Sequence, residues 1–164
     1  MLPEVLNKLA NKENLTEAEM VQIMTKIMDG ELTPTQIGAF LMGLRIKGET
    51  STEITGGARV MRDKAVAINT EDLYAIDTCG TGGDGANTFN ISTAVAIITA
   101  AAGVPVIKHG NRAVSSRCGS ADVLEQLEVK IDLGPNQVKA CVSHVNIGFV
   151  FAPMFHQAMG NVVK

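Results

Sequence analysis

A glycine-rich segment, residues 78–90, connects a short apolar run to an almost wholly apolar helical pattern. The run covers residues 74–77, the helix is predicted over about 93–102, and a second apolar run follows at 104–107. Strand, helix and strand in this order form a crossover, which joins parallel strands of one sheet. Because this helix has almost no polar face, we predict that it is buried in an α/β domain.

The residues before about position 64 carry the signals of three helix starts. Thr16, Thr33 and Thr50 are each followed three residues later by Glu or Gln, which is the pattern of a capping box. Apolar side chains recur at helical spacing after each box, and Gly30 and Gly48 are expected to end the first two helices. This part of the chain is predicted to be a helical domain.

Two adjacent glycines, Gly56 and Gly57, interrupt the third predicted helix. Each costs a helix about 1 kcal/mol relative to alanine, so a compensating contact is expected. Close packing against another helix is the simpler explanation, and a subunit contact is the alternative.

The remaining pattern completes an α/β arrangement. Ser120 is predicted to cap one helix and Pro135 to begin another, and residues 147–151 resemble a buried strand. We therefore divide the chain into a helical domain, residues 1–68, and a partial α/β domain, residues 69–164.

Composition argues against several functional classes. The net charge of −3 gives no general attraction to nucleic acid or acidic membranes, so any anion site must be local. The three cysteines form no CxxC pair, which argues against a disulfide framework or a zinc knuckle. The amino terminus lacks the apolar core of a signal peptide, and no apolar run reaches the about 20 residues of a bilayer span. A cytoplasmic protein is expected.

The glycine-rich segment has the chemistry of a phosphate cradle. Glycines at positions 80, 82, 83 and 85 leave backbone N–H groups accessible to an anion, and the following helix adds the positive end of its dipole. The spacing matches neither a P-loop nor a dinucleotide fingerprint. A tight turn between strand and helix is the simpler alternative for this segment alone.

A second polar segment, residues 108–120, follows the next predicted strand. The loops of neighbouring parallel strands emerge at the same edge of the sheet, where ligands of α/β folds bind. Three cations and three hydroxyls suit several phosphate groups, although a solvated basic loop is the alternative. These residues are Lys108, Arg112, Arg117, Ser115, Ser116 and Ser120.

Three motifs together resemble one family. The segments GTGGDGANTFNIST, KHGNR and SSRCGSAD, in this order and spacing, are similar to those of the anthranilate phosphoribosyltransferases of tryptophan biosynthesis. The resemblance covers essentially the whole chain. It implies a small helical domain plus the first part of a parallel-sheet phosphoribosyltransferase domain, and transfer of a phosphoribosyl group from phosphoribosyl pyrophosphate to anthranilate.

The resemblance also implies roles for individual residues. Ser92 would ligate Mg²⁺, no residue would act as a covalent nucleophile or strong base, and His156 is either near anthranilate or a helix-face histidine. The anthranilate-binding residues would be Gly80, Asn111, His109, Pro153 and His156. The donor-binding residues would be Gly80, Gly83, Asp84, Thr88, Asn90, Ile91, Ser92, Thr93, Lys108, His109, Gly110, Asn111, Arg112, Ala113, Val114, Ser115, Ser116 and Ser120.

Three further expectations follow from the resemblance. The family's anthranilate-contacting arginine and its acidic pair for a second Mg²⁺ are not in this sequence, so we expect a fragment that is inactive alone. A homodimer through the amino-terminal helices is expected. The alternative to a transferase is a non-catalytic relative of the same fold that binds phosphate or nucleic acid.

Overall fold

A computed structural model describes residues 1–80, 88–113 and 118–162, which form two compact units. The first unit is helical and combines residues 1–65 with residues 156–162. The second covers Val66–Phe155 and has the α/β elements. The helical unit contains α1 (Leu2–Ala10), α2 (Glu17–Met28), α3 (Pro34–Lys47), α4 (Ser51–Asp63) and a 3-10 helix, Gln157–Asn161.

All three predicted capping boxes are confirmed. In the first, Glu19 N donates to Thr16 Oγ1 over 3.2 Å and Thr16 N donates to Glu19 Oε2 over 2.9 Å. The boxes of α3 and α4 have the same two bonds. Gly30 and Gly48 follow α2 and α3 with φ of 73° and 88°, a left-handed backbone that glycine adopts without a steric penalty.

The helical unit has an apolar core in which α2 and α4 approach closely. Ile23 and Phe40 are fully buried. A Cβ on Gly56 would lie 3.0 Å from both Glu17 O and Met20 Cβ of α2. The prediction that this glycine serves close helix packing is therefore confirmed.

A buried ion pair joins the start of α4 to the end of α3. Glu53 is fully buried and accepts hydrogen bonds from Lys47 Nζ at 2.8 Å and from Leu15 N at 2.7 Å. Burial alone would raise the pKa of Glu53, but the bonds from Lys47, Leu15 and Thr50 outweigh it and lower the pKa to about 2. The carboxylate is thus ionised although it is enclosed.

The α/β unit is built on a parallel sheet. Strand β1 (Val106–Gly110) pairs in parallel with β2 (Ile147–Phe151), with Val106 opposite Ile147. On the other side of β1, Ile76 forms a single parallel bridge to Val106. The helices of this unit are α5 (Ile91–Ala101), α6 (Ser120–Gln126), α7 (Pro135–Val145) and α8 (Ala152–Phe155).

Three expectations for this unit need correction. The run 74–77 contributes only the bridge at Ile76 instead of a strand. Ser120 is the first residue of α6, and Gly119 is its N-cap. Helix α5 is not buried all round, because only one of its faces packs on the sheet: Ala96 is fully buried, whereas Ile98 is 68% exposed.

The chain crosses between the two units more than once. The predicted boundary follows residue 68, whereas the helical unit ends at residue 65 and resumes at residue 156. Residues 156–162 were assigned to the α/β domain from the sequence, yet they pack with the helices. Among the described residues, no helix is long and apolar enough to cross a membrane.

Candidate functional site

The two polar loops of the α/β unit contact each other. The first follows Asp77 and the second follows β1, and these two segments are neighbours in the sheet. Asn90 Nδ2, at the start of α5, donates to Cys118 O over 3.1 Å. His109 N donates to Asp77 Oδ1 over 3.3 Å. The parts of both loops that the structure describes therefore converge at the carboxyl edge of the sheet, as predicted.

Asp77 ties the two loops together and was not identified as a site residue from the sequence. Its Oδ1 accepts from Cys79 N at 2.9 Å as well as from His109 N. The first bond is a local turn of the kind that Asp makes with the backbone two residues later. An aspartate at the end of a strand, directly before a glycine-rich segment, was the signal that could have revealed it.

Lys108 reaches from the sheet to the first turn of α5. It lies on the buried face of β1, between Val106 and Gly110. Its Nζ donates to Ser92 Oγ over 3.1 Å and to His109 O over 3.3 Å. Thr78 Oγ1 donates to Ser92 O over 2.9 Å, so Ser92 joins both loops to the helix start.

The ammonium group of Lys108 is buried without a carboxylate partner in the described ranges. The residue is 2% exposed, and among the described residues its Nζ donates to the Ser92 hydroxyl and the His109 carbonyl rather than to a carboxylate. Burial lowers the pKa of Lys108, and the nearby Cys79 and Asp77 oppose this only in part. A buried cation of this kind would be stabilised by an anionic ligand.

The charge of Arg112 is already compensated within the protein. Its guanidinium binds both carboxylate oxygens of Glu125, with Nη2 2.8 Å from Oε1, and also contacts Asp122. It lies over the ring of Phe151, 5.6 Å from the centroid. The bond to Glu125 is the main reason that the pKa of Arg112 is raised. The carboxylates of Glu125 and Asp122 would compete with a donor for this guanidinium. The role of Arg112 in donor binding therefore stays a prediction.

The other predicted donor residues differ in exposure. Thr88 and Asn111 are exposed near the start of α5 and the end of β1, whereas Thr93 is buried and its Oγ1 has no partner among the described residues. A Cβ on Gly110 would lie 2.8 Å from Phe149 Cε2, so this glycine is required for packing. The predicted residues that lie outside the described ranges are Gly83, Asp84, Val114, Ser115 and Ser116.

The predicted anthranilate residues fall in both units. Gly80, His109, Asn111 and Pro153 belong to the α/β unit, where His109 Nδ1 is 3.9 Å from Cys79 Sγ. His156 belongs to the helical unit. There it lines a shallow pocket with Met28, Met61, Lys64, Ala158 and Met159.

The chain matches known protein families over most of its length. Residues 72–164 match a family described as a glycosyl transferase family, a/b domain, and residues 3–65 match the helical bundle domain of a glycosyl transferase family. The chain belongs to this glycosyl transferase family. The sequence-based division at residues 68 and 69 falls between these two matched ranges and stays a prediction.

Curated relatives of this chain have a more specific name. The anthranilate phosphoribosyltransferase of Alkaliphilus metalliredigens is 60% identical over 159 residues, which are 97% of this chain and 47% of the relative. That of Acetivibrio thermocellus is 59% identical over the same share of the chain. The chain spans about half the length of the curated relatives it matches.

Solved structures show the same fold. The anthranilate phosphoribosyltransferase of Thermus thermophilus superposes with a TM-score of 0.86 at 41% identity, over 97% of this chain and 48% of that one. The enzyme of Saccharomyces cerevisiae, solved in complex with PRPP and Mg, gives 0.88 at 25% identity, over 98% and 49%. The expected architecture, a helical domain followed by an α/β transferase domain, is confirmed.

Proposed function

We infer that this chain provides the donor-binding part of an anthranilate phosphoribosyltransferase. The observation that carries the proposal is the buried ammonium of Lys108, held against Ser92 at the start of α5. A cation with no described carboxylate partner, beside the positive end of a helix, is suited to a polyanionic ligand. Phosphoribosyl pyrophosphate, which the yeast relative binds, is a ligand of this kind.

The proposed reaction is a displacement at the anomeric carbon of the ribose. The amine nitrogen of anthranilate forms a bond to this carbon as the bond to the pyrophosphate oxygen breaks, and the amine loses a proton to water. Negative charge grows on the leaving pyrophosphate. Lys108 and the amino-terminal N–H groups of α5 would stabilise that charge, so electrostatics and positioning would provide most of the rate enhancement.

Magnesium would enter this site together with the donor. The described residues contain no group of three or more His, Cys, Asp or Glu side chains that could hold a metal ion. Mg²⁺ binds readily through one or two protein ligands when phosphates and waters complete its shell. Ser92 is proposed as such a single ligand; its Oγ accepts from Lys108 Nζ, so a bond to the ion would replace that hydrogen bond. The ion would neutralise part of the charge of the pyrophosphate.

We further propose that the protein is a cytoplasmic homodimer formed through its helical unit. Met42 and Ile46 are one turn apart on α3 and are exposed, with Ile46 at 68%. Leu41 and Ile54 are also exposed apolar side chains of this unit. Exposed apolar side chains one turn apart on a helix, such as Met42 and Ile46, are typical of a protein interface.

Calorimetric titration with phosphoribosyl pyrophosphate and Mg²⁺ tests the donor site. The native chain is expected to bind the donor, and Lys108→Met to weaken binding by about 100-fold, because the lost ammonium contacts the anion directly. Lys130→Met removes an exposed lysine of the same unit and should leave affinity unchanged. Equal affinity in all three proteins, or no binding by the native chain, would contradict the proposal.

A fluorescence assay tests the choice of acceptor. The full-length protein should consume anthranilate, seen as loss of its fluorescence, only when donor and Mg²⁺ are both present. Donor binding without anthranilate consumption by that protein would retain the phosphate site and rule out anthranilate as the acceptor.

A further inference from the structure

The carboxylate of Asp122 bridges the two described ends of the second loop. Its Oδ2 accepts from Ala113 N at 2.9 Å and from Gly119 N at 2.7 Å. These two amides lie on either side of residues 114–117. Its Oδ1 is 3.5 Å from Arg112 Nη1. One side chain on α6 thus contacts the backbone of the loop where it leaves the sheet and where it enters the helix.

A second observation shows that these two ends are packed together. A Cβ on Gly119 would lie 2.4 Å from Ala113 N and 2.7 Å from Asn111 O. Ala121 N also donates to Asn111 O over 3.1 Å. Real Cβ atoms do not approach other atoms so closely, so only glycine permits this contact. The loop ends therefore touch backbone to backbone.

Helix capping accounts for only part of this arrangement. An acidic residue in the first turn of a helix commonly accepts from the N-cap N–H, which explains the bond from Gly119. It does not explain the bond from Ala113, which lies outside α6 and precedes it in the chain. The bonds from Ala113 and Gly119 are the main reason that the pKa of Asp122 is lowered. An ionised acceptor makes both bonds stronger than neutral ones.

We propose that Asp122 is a positioning residue of the donor site, which holds the segment 111–113 against residues 119–120. This proposal rests on the proposed function, because Asn111, Arg112 and Ser120 are three of the predicted donor-binding residues. Asp122 itself contacts no donor. It acts by fixing where the backbone of these three residues lies, so its loss should weaken donor binding more than it slows the reaction at saturating donor.

Two substitutions distinguish the effect of the two hydrogen bonds to Asp122 from the effect of its negative charge. Asp122→Ala removes the acceptor from both amides, whereas Asp122→Asn keeps an oxygen that can accept from both. We expect hydrogen exchange of the Ala113 and Gly119 amides to be at least about 10-fold faster in Asp122→Ala and close to native in Asp122→Asn. Asp132→Ala removes an exposed carboxylate of the same unit and serves as the control.

Donor affinity is measured on the same proteins with phosphoribosyl pyrophosphate and Mg²⁺. It should fall at least about 10-fold in Asp122→Ala, remain within about 3-fold of native in Asp122→Asn, and be native in the control. Gly119→Ala should also weaken binding, because it separates the loop ends while Asp122 is intact. In the full-length protein, KM for the donor should rise more than kcat falls.

The outcomes distinguish this proposal from simple capping and from failure of the proposed function. If Asp122→Ala accelerates exchange at Gly119 alone and retains native affinity, Asp122 is only a helix cap and the proposal is wrong. Loss of affinity in Asp122→Asn equal to that in Asp122→Ala would also contradict it. If the native chain binds no donor, the proposed function fails, while the exchange rates still decide whether Asp122 joins the two loop ends.

Discussion

Lys108 is a charged residue on the buried face of β1. Its neighbours on the buried face of β1 are Val106 and Gly110, and burial lowers its pKa. Buried charged residues with a shifted pKa are typical of binding sites, where the ligand compensates for the buried charge.

Lys108→Met should therefore change stability and binding in opposite directions. The free energy of unfolding is expected to rise by about 1 kcal/mol, because the desolvated ammonium is replaced by an apolar chain of similar length. Urea unfolding followed by circular dichroism measures this, beside the donor titration. A variant that is destabilised and also fails to bind would show that Lys108 is mainly structural.

Glu53 gives the helical unit a specific dependence on pH. Its pKa in the fold is about 2, against an ordinary value of 4.5. Because the folded pKa is the lower one, the stabilisation is complete above 4.5 and is lost as the pH falls from there towards 2. The contribution is about 3 kcal/mol, since one pKa unit corresponds to about 1.4 kcal/mol.

Glu53→Gln is expected to remove this part of the pH dependence. At about pH 7 the free energy of unfolding of the variant should be about 3 kcal/mol lower than that of the native chain, because Lys47 becomes an uncompensated buried cation. The difference should shrink as the pH approaches 2. Glu49→Gln, at an exposed position, is the control. A constant difference at all pH values would show that Glu53 is not ionised.

Single residues were predictable where their role is local. Thr16, Thr33 and Thr50 were assigned as caps from the sequence, because a capping box depends only on residues within one turn. The bridging role of Asp122 was not predictable, since it depends on Ala113, which approaches it only in the folded α/β unit. Contacts of this kind depend on tertiary structure.

At the scale of elements, the packing of α2 against α4 depends on one glycine of an adjacent pair. A Cβ on Gly56 would meet the Glu17 carbonyl and Met20 Cβ at 3.0 Å, both of which are fixed within α2. A Cβ on Gly57 would meet the terminal methyl of Met20 at 3.3 Å and Met24 Cγ at 3.8 Å, the latter an ordinary van der Waals distance. That methyl belongs to a flexible side chain and can move.

The two alanine substitutions should therefore differ in sign. Both gain about 1 kcal/mol of helix propensity. In Gly56→Ala the strain should be larger than this gain, so the free energy of unfolding should fall by about 1–3 kcal/mol in total. Gly57→Ala should be neutral or slightly stabilised. Thermal unfolding of the two proteins measures the difference. Equal melting temperatures would mean that α2 and α4 are not packed as closely as described.

The exposure of α5 shows that the sequence of a helix does not determine how many of its faces are buried. Its apolar residues correctly predicted a helix, but they did not show how many of its faces are covered. In the described residues, Ala96 and Ala100 pack with Val106, while Ile98 and Val95 are exposed. Hydrophobicity indicates that burial is favourable, whereas the number of covered faces depends on which other elements are present.

For the whole molecule, the proposed dimer predicts that a single charge introduced at its interface on the helical unit should disrupt it. Ile46→Glu should convert a dimer to a monomer in analytical ultracentrifugation, because a carboxylate would be buried without a partner. Val145→Glu places the same charge at a position in α7 that is also strongly exposed, at 62%, and should leave the dimer intact. A native chain that sediments as a monomer, or two variants that behave alike, would contradict the proposal.

The helical unit is completed by a segment that lies far from it in sequence. Ala158, Met159 and Val162 pack on its core, and Asn161 Nδ2 donates to Met28 O over 2.9 Å. The ribosome synthesises the chain from the amino terminus, so α1 to α4 are made well before these residues. The helices then lack these particular contacts until all of Val66–Phe155 has been translated. Translation of the α/β unit therefore sets the earliest time at which the helical unit can reach its final stability.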